Sequence, residues 1–158
     1  MKYQIKQTTG YVAILLMLFM LSGCAQVKLV AAYDKEVIAD TFSLAKRVDL
    51  FWANYLVAKG ESRKYGSIKN EMIGIEVELN SLLLKNEARD KNKQTTKQIK
   101  NVIKIWSETS KLFIQQGSIS NTSAKSYRLQ MADSFKYIVR GEKAKNISDN
   151  NDNTGSAQ

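Results

Sequence analysis

Proline is absent from all 158 residues of this chain. Proline ends helices by removing an amide donor and clashing with the preceding turn, so a chain without it is free to form long unbroken ones. From Tyr33 to Lys145 apolar residues recur at the helical period in four segments. The first, about 33–59, aligns Ile38, Phe42, Ala45, Trp52, Tyr55 and Leu56, and Gly60 stops it. The second, about 62–89, aligns Ile68, Met72, Ile75, Leu79, Leu82 and Leu83. Gly66 and Gly74 each weaken it by up to about 1 kcal/mol. The third, about 95–116, carries Ile99, Val102, Ile103, Trp106, Phe113 and Ile114, and Gly117 ends it. The fourth begins near Asn121, Thr122 and Ser123, residue types that cap helix N-termini, and runs to about Lys145. Its apolar face is Tyr127, Met131, Phe135, Ile138 and Val139. Short turns join antiparallel neighbours, so residues 33–145 are expected to form an all-α, up-down-up-down four-helix bundle. The tail, 146–158, has one large apolar side chain, Ile147, and is expected to be disordered.

The first 24 residues follow another pattern. Lys2 and Lys6 precede an uninterrupted apolar run over residues 11–22. A membrane-spanning helix needs roughly 20 apolar residues, so this run is too short to be one and suits the apolar core of a signal peptide. It closes on Leu21-Ser22-Gly23-Cys24. That tetrapeptide resembles the lipobox of bacterial lipoproteins: a leucine, two small residues and a cysteine whose thiol takes the diacylglycerol. The resemblance covers these 24 residues only. It implies that residues 1–23 are a cleaved signal peptide, cut between Gly23 and Cys24, and that Cys24 carries a diacylglycerol and an N-acyl chain. Residues 24–32 would then be a lipidated tether or an extension of the first helix. In a Gram-negative cell, Ala25 stands where an inner-membrane-retained lipoprotein has aspartate. The implied location is therefore the periplasmic side of the outer membrane; in a Gram-positive host it is the outer face of the cytoplasmic membrane. Two or three acyl chains anchor firmly where one binds only marginally.

Cys24 is the sole cysteine, so a chain acylated there has no disulfide to stabilise it. There is no histidine, which removes the commonest general base and metal ligand. A zinc site would have carboxylates alone, which does not fit zinc. No metal, and no cofactor beyond the acyl chains, is expected. Loss of Lys2 and Lys6 with the signal peptide takes the net charge from +9 to +7.

Two polar features stand out in the bundle. Lys93, Lys97, Lys100, Lys104 and Lys111 share one face of the third segment, opposite its apolar stripe. They read either as an ordinary solvated face or as an electropositive ridge for anionic lipid headgroups, lipopolysaccharide phosphates or an acidic protein. Nucleic acid is not an expected partner, because export removes the chain from it and no stacking aromatics lie between the lysines. Asp49 projects into the first stripe between Ala45 and Trp52. A buried carboxylate is costly unless paired. Counting back from the turns places Asp49 level with Met72, Lys111 and residues 126–128. Either it forms a buried polar pair, with Arg128 the first candidate and Lys111 or the Tyr127 hydroxyl next, or it sits wet at the seam edge. The same count puts Arg89 beside Tyr33 and Asp34.

Glu61-Ser62 resembles the start of the lytic transglycosylase signature, but the Gly-Leu-Met-Gln type segment that should follow is missing, and Glu61 sits in a turn where nothing would raise its pKa. No nucleophile, base and orienter stand together. The expectation is a non-enzymatic, membrane-anchored helical binding or assembly-accessory module of the cell envelope, with an envelope protein as partner. An exclusion or immunity-type protective lipoprotein and a carrier of an apolar ligand are the alternatives.

Overall fold

The computed structural model describes residues 30–154, with side chains to Asn146. Four α-helices form an antiparallel bundle: α1 Lys35–Val57, α2 Tyr65–Glu87, α3 Lys93–Gln116 and α4 Asn121–Thr154. Each packs on two neighbours, α1 on α2 and α4, and α3 on α2 and α4, which is the up-down-up-down arrangement. Among the described residues no helix is long and apolar enough to cross a membrane.

Local chemistry sets the boundaries. Asp34 caps α1, its carboxylate accepting from the amides of Glu36 at 2.8 Å and Val37 at 3.3 Å. The residues before it, 31–34, are not helical, so the tether does not extend α1 there. A 3-10 turn, Gly60–Arg63, links α1 to α2, with Gly60 at φ +55°. Gly117 adopts φ +73° and its amide donates to the carbonyl of Phe113 at 2.8 Å, closing α3. The N-terminal cap of α4 is Ser120, one residue before the predicted cap types: its Oγ accepts from the amide of Ser123 at 3.1 Å.

The core is aromatic and spans a diagonal of the bundle. Phe51, Trp52 and Tyr55 of α1 meet Trp106 and Phe113 of α3, with Phe51–Trp106 ring centroids 5.3 Å apart and Tyr55–Phe113 5.1 Å apart, both edge to face. Tyr127 of α4 stacks on Trp52 at 6.2 Å. Met72, Ile75, Leu79 and Leu82 of α2 and Met131, Phe135 and Ile138 of α4 fill the rest.

Three expectations need correction. The buried face of α1 is Val37, Ile38, Thr41, Leu44, Val48, Phe51, Trp52 and Tyr55. That face is turned by roughly 70° from the predicted line, at 100° per residue. Phe42, placed in the stripe, is 55% exposed. The helix carries apolar residues on both sides, and the rings of Phe51 and Trp52 fill the interior better than Phe42 would. Ile114, placed in the α3 stripe, is likewise exposed. Finally, α4 continues to Thr154, so residues 146–154, expected to be disordered, are helical. No proline or glycine interrupts them before Gly155, and adding residues to an existing helix is far easier than starting one.

The rotation of α1 has a direct test in urea denaturation. Phe51→Ala should cost about 3–5 kcal/mol, whereas Phe42→Ala should stay within about 0.5 kcal/mol of wild type.

Candidate functional site

The densest polar chemistry lies at the end of the bundle where the chain enters. Glu142 continues the apolar line of Met131, Phe135 and Ile138 along α4, and it has no exposed surface. Its Oε1 accepts from Arg89 Nη2 at 2.9 Å; its Oε2 accepts from Lys145 Nζ at 2.6 Å and Thr95 Oγ at 3.0 Å. Lys145, also buried, spends its other two protons on Asn92 Oδ1 at 2.6 Å and Thr95 Oγ at 2.9 Å. Asn92 donates to Asn86 Oδ1 at 2.8 Å, and Asn86 donates back to the carbonyl of Leu82 at 2.8 Å. A buried carboxylate is tolerated only when its lone pairs are taken up in this way.

Arg89 carries the network outward. It donates to the carbonyl of Ala32, and its Nε lies 3.7 Å from Asp34. The amide of Ala31 donates to the carbonyl of Lys91 at 3.2 Å. The pairing of Arg89 with Asp34 is therefore one edge of a larger assembly that holds the incoming chain against the α2–α3 turn. Sequence reasoning missed Glu142 and Lys145. The available signal was that Glu142 prolongs the α4 stripe.

The expected buried pair is corrected in place rather than in chemistry. Arg128 does reach Asp49, with Nε 2.6 Å from Oδ1 and Nη2 2.9 Å from Oδ2. The contact is a two-pronged fork, but Asp49 is 51% exposed, because the rotation of α1 moves it to the α1–α4 rim. The hydrogen bonds from Arg128, partly opposed by desolvation, hold the Asp49 carboxyl below its ordinary value. Lys111 and the Tyr127 hydroxyl are not its partners among the hydrogen bonds and ion pairs of the described residues.

All five ridge lysines, Lys93, Lys97, Lys100, Lys104 and Lys111, are exposed on the outer side of α3. Lys100 pairs with Glu87 of α2 at 2.7 Å, and Lys104 approaches Glu108 at 4.0 Å. On the α1–α2 seam, Arg47 bridges to Glu78 across Gly74, where a Cβ would come within 2.5 Å of the guanidinium. Lys85 binds Asp40 and Glu36, each at 2.8 Å, and its pKa is raised, first by Asp40 and then by Glu36. One groove beside this seam, of about 300 Å³, is open and lined by Asp40, Ser43, Leu44, Glu78, Ser81, Leu82 and Lys85.

At the far end Tyr55 is the organising residue. Its hydroxyl donates to the carbonyl of Ile119 at 2.9 Å and accepts from the Ile119 amide at 2.8 Å. Arg63 lies 4.4 Å over its ring and donates to the same carbonyl at 2.8 Å. Glu61 is exposed in the 3-10 turn beside it. No three His, Cys, Asp or Glu side chains among the described residues converge on a point suited to a metal ion. Gly23 and Cys24 lie outside the described residues. The chain matches no family model, no curated protein and no solved structure.

Burial separates the two carboxylates experimentally. Glu142→Ala leaves Lys145 and Arg89 without their anion and should cost about 3–5 kcal/mol, against under about 1 kcal/mol for Asp49→Ala. For Asp49 the sign with pH is fixed. A folded-state pKa below the unfolded value of about 3.9 means that the pair contributes fully above that value and loses its contribution as pH falls through the folded pKa. Urea denaturation of wild type and Asp49→Asn should therefore differ at neutral pH and converge in strong acid.

Proposed function

We propose that this protein is a non-enzymatic, lipid-anchored helical module of the cell envelope, which works by offering its outer surface to an envelope protein partner. The observation that carries this reading is the lipobox Leu21-Ser22-Gly23-Cys24 only ten residues before the capped start of α1 at Asp34. Ten extended residues reach at most about 35 Å, so a bundle acylated at Cys24 works within one helix length of a membrane.

The packing supports the second half of the reading. The middle of the interior is filled by the rings of Phe51, Trp52, Trp106 and Phe113. Both ends are latched by specific hydrogen bonds, at Glu142 and at Tyr55, which favours a body that presents a fixed surface over one that opens.

Anchoring is tested by mass spectrometry and fractionation of the full-length protein made in a bacterial host. Wild type should sediment with membranes and carry diacylglycerol mass on a chain beginning at Cys24. Cys24→Ser should lack that mass and accumulate as uncut precursor. A wild-type chain without acyl groups sinks the anchor. Cross-linking in intact envelopes should then capture one stoichiometric protein partner.

A further inference from the structure

The outer face of α2 carries an exposed apolar line, as α1 does at Phe42, Leu50 and Val57, and only the line on α2 adjoins the five-lysine ridge of α3. Ile73, Val77 and Leu84 of α2 expose 45%, 59% and 70% of their surfaces. At 100° per residue they fall within roughly 40° of one another, facing away from the core. The exposed residues that share their sector, Asn70, Asn80 and Ser81, are uncharged. The stripe is not isolated. Lys100–Glu87, at 2.7 Å, joins the flank of α2 to the lysine ridge of α3, so an apolar strip and a cationic strip run side by side along one hairpin. Ile114 of α3 is exposed as well. Lys69 adds a sixth cation at this border, against Glu76, Glu87 and Glu108.

The path of the chain says what this surface meets. Ala31 hydrogen-bonds to Lys91 in the α2–α3 turn, two residues before the first lysine of the ridge, and Arg89 holds the carbonyl of Ala32 beside it. Among the described residues the chain therefore enters at the end of this hairpin. Seven residues separate Cys24 from Ala31, a reach of at most about 25 Å. A single body that carries an apolar strip, a flanking row of lysines and an entry point for the tether has the chemistry of an interfacial membrane surface. The apolar groups enter the headgroup boundary, while the lysine stems lie along it with their ammonium groups on phosphates.

We propose that the α2–α3 hairpin is a lipid-facing surface that lays the bundle on its side. Ile73, Val77 and Leu84 rest in the interface, and Lys93, Lys97, Lys100, Lys104 and Lys111 contact the anionic headgroups of the membrane that holds Cys24. This rests on the anchored reading above. Ala31 and Ala32 hydrogen-bond to the α2–α3 turn and not to the outer side of α4, which also carries cations, Lys125, Lys136, Arg140 and Lys143. That outer side is the face left for a protein partner.

In the acylated protein Cys24 is blocked, so an introduced cysteine is the only labelling site. Val77→Cys on the hairpin and Leu129→Cys on the exposed side of α4 would each carry a polarity-sensitive fluorophore, in full-length acylated protein reconstituted into vesicles. In phosphatidylglycerol–phosphatidylcholine vesicles the label at 77 should shift to shorter wavelength and become shielded from an aqueous quencher. The label at 129 should not respond, and neither label should respond in phosphatidylcholine alone. Replacing the five ridge lysines with Gln should abolish the shift; the three without an ion-pair partner account for a bias of roughly a hundredfold. An equal response at 129, a response at 77 that ignores lipid charge, or no response at 77 overturns the proposal. The mass of the same protein reads acylation separately. A chain without acyl groups removes the anchor alone, and flotation of that chain with phosphatidylglycerol vesicles then decides the surface. Flotation lost in the Gln variant supports it, and flotation unchanged by that variant overturns it.

Discussion

Everything at the entry end of the bundle depends on one carboxylate with no access to water. Glu142 is buried with Arg89 and Lys145 both bonded to it; Lys145 reaches it from the next turn of α4, but Arg89 reaches it only in one alignment of the α2–α3 turn with α4. Antiparallel bundles with apolar stripes have several near-equivalent registers, since sliding one helix by a turn exchanges one aliphatic contact for another. Here such a slide would part Glu142 from Arg89 and Thr95 and leave it in the core with only Lys145 of its own helix, at a cost greater than that of a misplaced methyl group. Asn86, Asn92 and Thr95 complete the same selection, because each uses its polar group within the cluster. The network therefore sets register more than it adds stability, which the aromatic core supplies.

The opposite end is fixed by different means. Tyr55 takes both backbone groups of Ile119 on one hydroxyl, and Arg63 closes over its ring. The amide of Tyr65 also donates to the carbonyl of Gly117 at 2.7 Å, tying the α1–α2 connection to the α3–α4 loop. With a polar lock at each end and interleaved rings between them, relative motion of the helices would break buried hydrogen bonds at one end or the other. The Asp49–Arg128 fork lies midway along α1 on the rim, where water competes for both partners, and it contributes little to that rigidity.

Much of this architecture is legible in the amino-acid sequence. Spacing and turn residues place all four helices, with α1 to α3 ending within about two residues of their expected limits. They also bring Arg128 to Asp49 and Arg89 to Asp34 by counting alone. What periodicity does not resolve is the rotational phase of α1. Phe42, Leu50 and Val57 form a second apolar line behind Leu44, Val48 and Phe51, and only three-dimensional packing chooses between them. Of the two places open to Asp49, a buried pair or the wet seam edge, that phase selects the seam edge. Glu142 and Lys145 are hidden for another reason. Three residues apart near a helix end, they read as a solvated pair, and their burial depends on partners more than 45 residues earlier in the chain. The ridge lysines are legible as a row, while the apolar strip beside them is not, because it belongs to α2 and adjoins them only through tertiary packing.

A body latched at both ends has few internal states with which to respond to a partner. What stays variable is its attitude to whatever holds its N-terminus. The distribution of charge makes that attitude unequal among the faces: α3 carries five lysines against one glutamate, whereas α2 carries two lysines against four glutamates and leaves its outer sector uncharged. Near an anionic surface such a body feels a torque as well as an attraction, since the two halves differ in charge across the width of one bundle. The direction of that torque would depend on the α3 lysines together with the outer cations of α4, and for a body held by its N-terminus the pivot would be the point where Arg89 and Lys91 hydrogen-bond to Ala32 and Ala31. The buried cluster around Glu142 braces that pivot from inside, so the residue that fixes the register of the helices also fixes the axis about which the whole module can turn.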